Sequence, residues 1–254
     1  MKQHETNSIK SNFLEILGSA MLYFKTSLTY IFKMKINIEQ LVAKLVFLGY
    51  ESIGMILVLT AVSTMILTLN TSIELNNQGG RELIGSLIAI ADLREIVPIF
   101  VAFAIAARCG TSLTAEISTM KVTEQIDVLR VFKIDPVYYL MVPVLVSIVL
   151  LAPFLLAIAS VTSIFAGMFV AKIAVNVEFS EFLDSAWSAL SLKEYFYPLI
   201  KTFVFCVYAL LINITMGLNC SGGAREVGMV TTRATALVIV GIIVLDGILT
   251  PILY

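Results

Sequence analysis

Apolar residues in this chain gather into runs of about 20, the length that crosses a hydrocarbon core of roughly 30 Å. Five runs stand out: 50–70 (YESIGMILVLTAVSTMILTLN), 83–107, 138–173, 197–218 and 232–250, the last ending at Thr250-Pro251. The third is too long for one simple crossing, so it must tilt, protrude or bend, and Pro143 and Pro153 permit a bend. Ahead of the runs, Phe13, Leu17, Ala20, Phe24, Leu28 and Ile31 recur at steps of three and four, which is one face of a helix. Lys25, Lys33, Lys35 and Lys44 are interspersed. This pattern predicts an amphipathic helix lying in the membrane interface. A cytosolic helix against a partner is the alternative. The expected fold is all-α and polytopic: residues 1–48 as a cytoplasmic tail and interfacial helix, 49–254 as a five-span membrane domain.

Composition strengthens the membrane reading. Of 254 residues, 59% are hydrophobic and 14% charged, against about 25% charged in an ordinary soluble domain. Mean hydropathy is +0.95. A net charge of −1 gives no reason to expect a nucleic acid partner. Three cysteines cannot all pair with one another, and Cys206 falls inside a span, so a disulfide framework is not expected. The opening MKQHETNSIKSN is polar with no short apolar core after it, so a removable signal peptide is not expected. Basic residues set the orientation. Six lysines precede residue 49. Arg108, Lys121, Arg130 and Lys133 lie in 106–137, and Arg225 and Arg233 in 219–233. The 70–82 segment has Arg81 only, and acidic residues outnumber basic ones in 172–196. The N-terminus is therefore expected in the cytoplasm and the C-terminus outside.

The second run breaks the apolar pattern. IAIADLREIVPIF (88–100) holds Asp92, Arg94 and Glu95. Three charges at mid-bilayer cost roughly 7–10 kcal/mol, and the thirteen Leu, Ile, Val and Phe residues of 83–107 return roughly 4–8. The segment is comfortable only if its charges face protein, water or headgroups. On a helix Asp92 and Glu95 share a face. Arg94 has no acid three or four positions away, so its partner lies on another helix, on a second copy, or on an anionic ligand. Lys201, early in the fourth run, could face the same place. Snorkelling at the outer interface or a structural ion pair would equally relieve the cost.

RCGTSLTAEISTMKVTEQIDVLRVFKIDP (108–136) is the most informative connection. Thr111, Ser112 or Thr114 can cap a helix with Glu116 in its first turn. Leu113, Ile117, Met120, Ile126 and Leu129 make a broken apolar stripe opposite Lys121, Thr123, Glu124 and Asp127. Such a helix over about 111–129 suits a soluble partner, or lies on the membrane as a connector.

LREIVPIFVAFAIAARCGTSLTAEISTMKVTEQIDVL (93–129) and CSGGAREVGMVTTRATALVIVGIIVLDGILT (220–250) resemble the MlaE/YrbE permease family, the membrane subunits of MCE-type ABC transporters. The order LRE..P, TAEI..M..TEQ, GGA..VG..TTR is specific, and the resemblance covers about 45–254. It implies a homodimer, each copy with an interfacial helix and five spans, that moves lipids between membranes, phospholipids being the expected cargo. It implies a coupling helix on cytoplasmic ABC ATPase subunits, with Thr114, Glu116, Met120, Thr123, Glu124 and Gln125 at that contact. ATP and Mg would sit on that partner. MCE-domain subunits, expected as a hexamer, would sit on the outer face. Arg94 and Glu95 stand where the family's RE pair faces a lipid cavity, Lys201 matches a basic residue of that cavity, and Asp92 adjoins them. The chain departs from the family at Ala107 and Ser118, where Gly is frequent, at Cys109, and at Arg225 and Glu226. The implied place is a bacterial inner membrane, with the plastid inner envelope as the alternative.

No G-x-x-x-x-G-K-[ST], H-E-x-x-H or G-x-S-x-G occurs, and the single histidine, His4, lies in the polar tail. CSGG (220–223) has too few ligands for a metal site. This chain is therefore expected to be no enzyme and to hold no cofactor. The rival reading is an ion- or proton-coupled carrier using Asp92 and Glu95.

Overall fold

The computed structural model describes residues 2–33, 37–191 and 193–254, with side chains from Glu15 onward. Lys35 and the side chain of Phe13 lie outside the described residues. Among the described residues there are helices and turns and no strand. The α-helices are α1 (Lys2–Phe32), α2 (Ile38–Asn77), α3 (Ile84–Ala91), α4 (Val97–Ala104), α5 (Thr111–Val122), α6 (Gln125–Val131), α7 (Val142–Val175), α8 (Phe179–Ala189), α9 (Lys193–Leu218) and α10 (Ala224–Leu253). Four helical stretches among the described residues are long and apolar enough to cross a membrane: Ile38–Asn77, Val137–Val175, Lys193–Leu218 and Ala224–Leu253.

The 83–107 run is not one uninterrupted helix. It is α3 and α4 joined by a wide π-helical turn at Asp92–Ile96, with a second wide turn at Ile105–Gly110 leading into α5. α2 begins at Ile38, so residues 38–48 and the 50–70 run lie on one continuous helix. The 111–129 helix is two helices, because Glu124 adopts φ +62° between α5 and α6 and breaks the hydrogen-bond ladder.

The chain divides into two compact units. The first gathers Met1–Tyr50, Ile105–Val149 and Val207–Gly241. Along α1, Ala20 is buried and Leu17, Phe24, Leu28 and Ile31 are half-buried. Tyr30 stacks on Tyr138 with centroids 5.3 Å apart and donates its hydroxyl to the Asp135 carboxylate at 2.8 Å. That acceptor bond, with burial, pushes the Tyr30 phenol above its ordinary value. Leu113 and Ile117 of α5, Ile126 and Met141 are buried in this unit. Gly110 has no room for a Cβ, because the Asn213 side chain lies against it.

The second unit gathers Glu51–Ala104, Leu150–Cys206 and Ile242–Tyr254. Its core includes Ile84, Ile88, Ala89, Ala171, Val177, Phe182 and Ala186. α7 stops at Asn176, which takes the left-handed conformation (φ +57°) that Asn tolerates at a helix end. The 172–196 segment carries a helix, α8, that the apolar runs did not mark. A reciprocal capping box between Glu178 and Glu181 opens it. It packs so closely on α3 that a Cβ on Gly85 would run into the Phe182 carbonyl.

Candidate functional site

The charges of the second run are gathered by the wide turn and by a proline. In a regular helix the Arg94 carbonyl would accept the N–H of residue 98, but that residue is Pro98 and has none. The ladder shifts, and the Val97 N–H reaches back five residues to Asp92. The freed Arg94 carbonyl accepts the ammonium of Lys201 at 2.8 Å.

Lys201 is the centre of the site. Its side chain has no solvent exposure. Besides the Arg94 carbonyl, its Nζ donates to Glu95 Oε2 at 2.8 Å and Thr250 Oγ1 at 2.9 Å, and pairs with Asp246 Oδ1 at 2.6 Å. Three N–H donors are fully used by these acceptors. Asp246, Thr250 and Tyr254 are spaced by four and so share one face of α10 and its end. Glu194, Tyr197 and Lys201, at steps of three and four, share one face of α9.

Arg94 forms a second group. Its Nε donates to Glu194 Oε2 at 2.8 Å and its Nη2 to Glu194 Oε1 at 2.6 Å, a two-pronged pair. Its guanidinium lies 4.4 Å from the Tyr254 ring centre, and Tyr197 meets that ring edge-on at 5.5 Å. Burial, then Glu194, pushes the Tyr254 phenol above its ordinary value, so it stays protonated. Of the possible partners for Arg94, another helix of the same chain supplies it. Arg94 and Glu95 remain about one-third exposed, so the cluster is reachable. It holds two bases, Arg94 and Lys201, and three acids, Glu95, Glu194 and Asp246.

The structure thus brings Arg94, Glu95 and Lys201 together. It does not bring in Asp92, which the three-residue spacing had put on one face with Glu95. The wide turn opens the angle between positions 92 and 95. Asp92 is fully buried, faces Thr64 and Ser163, and shares no hydrogen bond with the cluster. Asp246, Glu194, Thr250 and Tyr254 were missed. Asp246 carried a readable signal, the single acidic residue inside the fifth run.

In the other unit, a cavity of about 700 Å³ is lined by Lys44, Ser112, Glu116, Thr119, Met120 and Gln125 among others. Three of the expected coupling residues, Glu116, Met120 and Gln125, therefore meet there. Glu116 pairs with Lys44 at 3.7 Å. Thr123 and Glu124 are exposed at the end of α5, with the Thr123 hydroxyl donating to the Thr119 carbonyl. Thr114 is different. It is fully buried, bonded to the Gly110 and Asn213 carbonyls and to Asn213 Oδ1 at 2.9–3.1 Å. It anchors α5 to α9 and presents nothing to a partner.

Comparison with known proteins agrees with this architecture. The family described as Permease MlaE matches residues 41–252. The chain is 31% identical to the probable ABC transporter permease protein ycf63 of Pyropia yezoensis, over 95% of this chain and 92% of that one. It is 29% identical to the probable ABC transporter permease protein slr1045 of Synechocystis sp., over 89% and 86%. It is also similar to the protein TRIGALACTOSYLDIACYLGLYCEROL 1, chloroplastic, of Arabidopsis thaliana, 30% identical over 88% of this chain and 64% of that one.

Proposed function

The chain belongs to the MlaE permease family, and from that premise we propose that it is the membrane subunit of an ABC transporter that moves a phospholipid between membranes. The Arg94–Glu194 and Lys201–Glu95–Asp246 cluster, set among apolar segments, carries this reading: it offers polar groups to a headgroup while acyl chains keep to apolar surface. The name of the Arabidopsis relative is that of a glycolipid, which supports a lipid cargo.

In this reading two copies of the chain enclose the cargo, and each crosses the membrane five times, with the α3–α4 segment as the second crossing. α1 lies in the interface. ATP is hydrolysed, with Mg, on separate cytoplasmic ABC ATPase subunits. Those subunits dock on exposed residues of α5 and the α5–α6 junction, Glu116, Thr123, Glu124 and Gln125, with Met120 behind them. MCE-domain subunits, as a hexamer, take or give lipid on the outer face. The N-terminus is cytoplasmic and the C-terminus periplasmic in a bacterial inner membrane. The chloroplastic relative is compatible with the plastid inner envelope.

The chemistry follows from the partners already present. A headgroup phosphate reaching Arg94 exchanges with the Glu194 carboxylate, oxygen pair for oxygen pair, at the planar guanidinium. Lys201, held on four sides, fixes Glu95 and Asp246 and positions the turn that carries Arg94. The test is charge reversal in liposomes reconstituted with the whole transporter. Arg94→Glu and Glu194→Arg should each lower ATP-driven lipid transfer about tenfold or more, since each removes a two-pronged charged pair. Combining them restores the pair but should not restore transfer. Wild-type transfer by the double variant would make Arg94 purely structural. No ATP-driven lipid transfer by the wild-type assembly would reject the lipid reading itself.

A further inference from the structure

One buried carboxyl takes no part in the cluster. Asp92 has no exposed surface, and neither of its oxygens has a hydrogen-bond partner. The polar groups that face it from neighbouring helices are the hydroxyls of Thr64 on α2 and Ser163 on α7, with no charged side chain among them. An ionised carboxylate in that state is costly without a cation to meet it.

The hydroxyls around it are arranged unusually. α2 carries Thr60, Thr64, Thr68 and Ser72 at four-residue steps, all fully buried. Thr60 satisfies itself in the ordinary helical way, donating to the Ile56 carbonyl at 2.7 Å. The Thr64, Thr68 and Ser72 hydroxyls make no hydrogen bond. On α7, Ser163 donates backward to the Ser160 carbonyl at 3.0 Å, which leaves its lone pairs free to point elsewhere. The helices approach closely here: a Cβ on Gly167, one turn beyond Ser163, would lie 3.0 Å from Thr68 Oγ1 and 3.3 Å from both Thr64 and Ile88. Ile88 is one turn before Asp92. Three helical segments thus bring a carboxylate and two hydroxyls to one dry spot.

We propose that Asp92, with the hydroxyls of Thr64 and Ser163, binds a sodium ion. Hard cations take oxygen ligands of this kind, and one here would meet carboxylate and hydroxyl oxygens that are otherwise buried without a partner. One carboxylate among neutral hydroxyls balances one positive charge. A divalent ion would leave a net charge buried in apolar surroundings. The site is separate from the Lys201 cluster and does not depend on what the chain transports.

The test uses the purified full chain in lipid nanodiscs, with radiolabelled sodium as probe and thermal unfolding as a second readout. Sodium should bind at one ion per chain and raise the unfolding temperature relative to choline at equal ionic strength, because a ligand of the folded state stabilises it. Asp92→Asn should abolish both effects. Thr64→Val and Ser163→Ala, which keep the carboxylate and nearly the same volume, should each weaken sodium binding about tenfold; these variants decide the matter if Asp92→Asn does not fold. Equal unfolding temperatures in sodium and choline, or sodium binding that survives in Asp92→Asn, overturns the proposal. So does a wild type whose stability differs from that of Asp92→Asn only through pH, which would make the occupant a proton.

Discussion

Lys201 has no solvent exposure, and its neighbours supply the contacts that its ammonium would otherwise take from water. Two carboxylates, a hydroxyl and a backbone carbonyl surround one ammonium. Removing one side of a buried ion pair strands the other, at about 3–5 kcal/mol. Lys201→Met should therefore destabilise the chain by about 3 kcal/mol, the low end because Glu95 keeps some water. Chemical unfolding in detergent measures this. Adding Glu95→Gln and Asp246→Asn, which remove the stranded charges, should recover much of the loss. Part of this was legible in the sequence. The cost of charge in an apolar run pointed to Arg94, Glu95 and Lys201. The same arithmetic applied to Asp246 would have found the fourth member. Glu194 looked like one more acid in a polar connection, and nothing in its spacing tied it to Arg94 a hundred residues earlier.

Among the elements, apolar runs and helical periodicity located the long helices well, because length and hydropathy follow directly from the bilayer. They located departures from the regular helix poorly. The wide turn at Asp92–Ile96 depends on Pro98 together with a lysine from α9, a contact no local pattern contains. α8 went unmarked because its apolar face is short and its charges resemble a loop. Its start is held electrostatically. Lys172 donates to Glu178 at 2.6 Å and holds the Glu178 carboxyl below its ordinary value, with Arg81 assisting from further off. A depressed carboxyl stabilises the fold above the unfolded value of about 4.3 and loses that contribution as pH falls through the folded value. Glu178→Gln should flatten the acid side of the stability profile and leave the neutral side with only the small loss of an exposed pair. Thermal unfolding between pH 7 and pH 3, roughly the carboxylate range, reads this out.

For the whole molecule, many large apolar side chains remain exposed, among them Val58, Val62 and Ile66 on α2 and Val240, Val244 and Ile248 on α10. That is the surface expected of a chain solvated by lipid or by a second copy of itself. The distribution of lysine and arginine gives the orientation a direct check. The three native cysteines are buried. Arg130→Cys should react with a membrane-impermeant maleimide only from the cytoplasmic side, and Asp184→Cys only from the opposite side. The reverse result would invert the topology.

The wide turns at Asp92–Ile96, Ile105–Gly110 and Val137–Met141 have one more consequence. An α-helix rotates about 100° with each residue, so deleting one residue re-aims every side chain that follows. A π turn already stores an extra residue. Shortening the chain by one there would relax the turn to regular helix and leave later faces in phase. These are the places where an ancestral insertion or loss could change local chemistry without scrambling the rest.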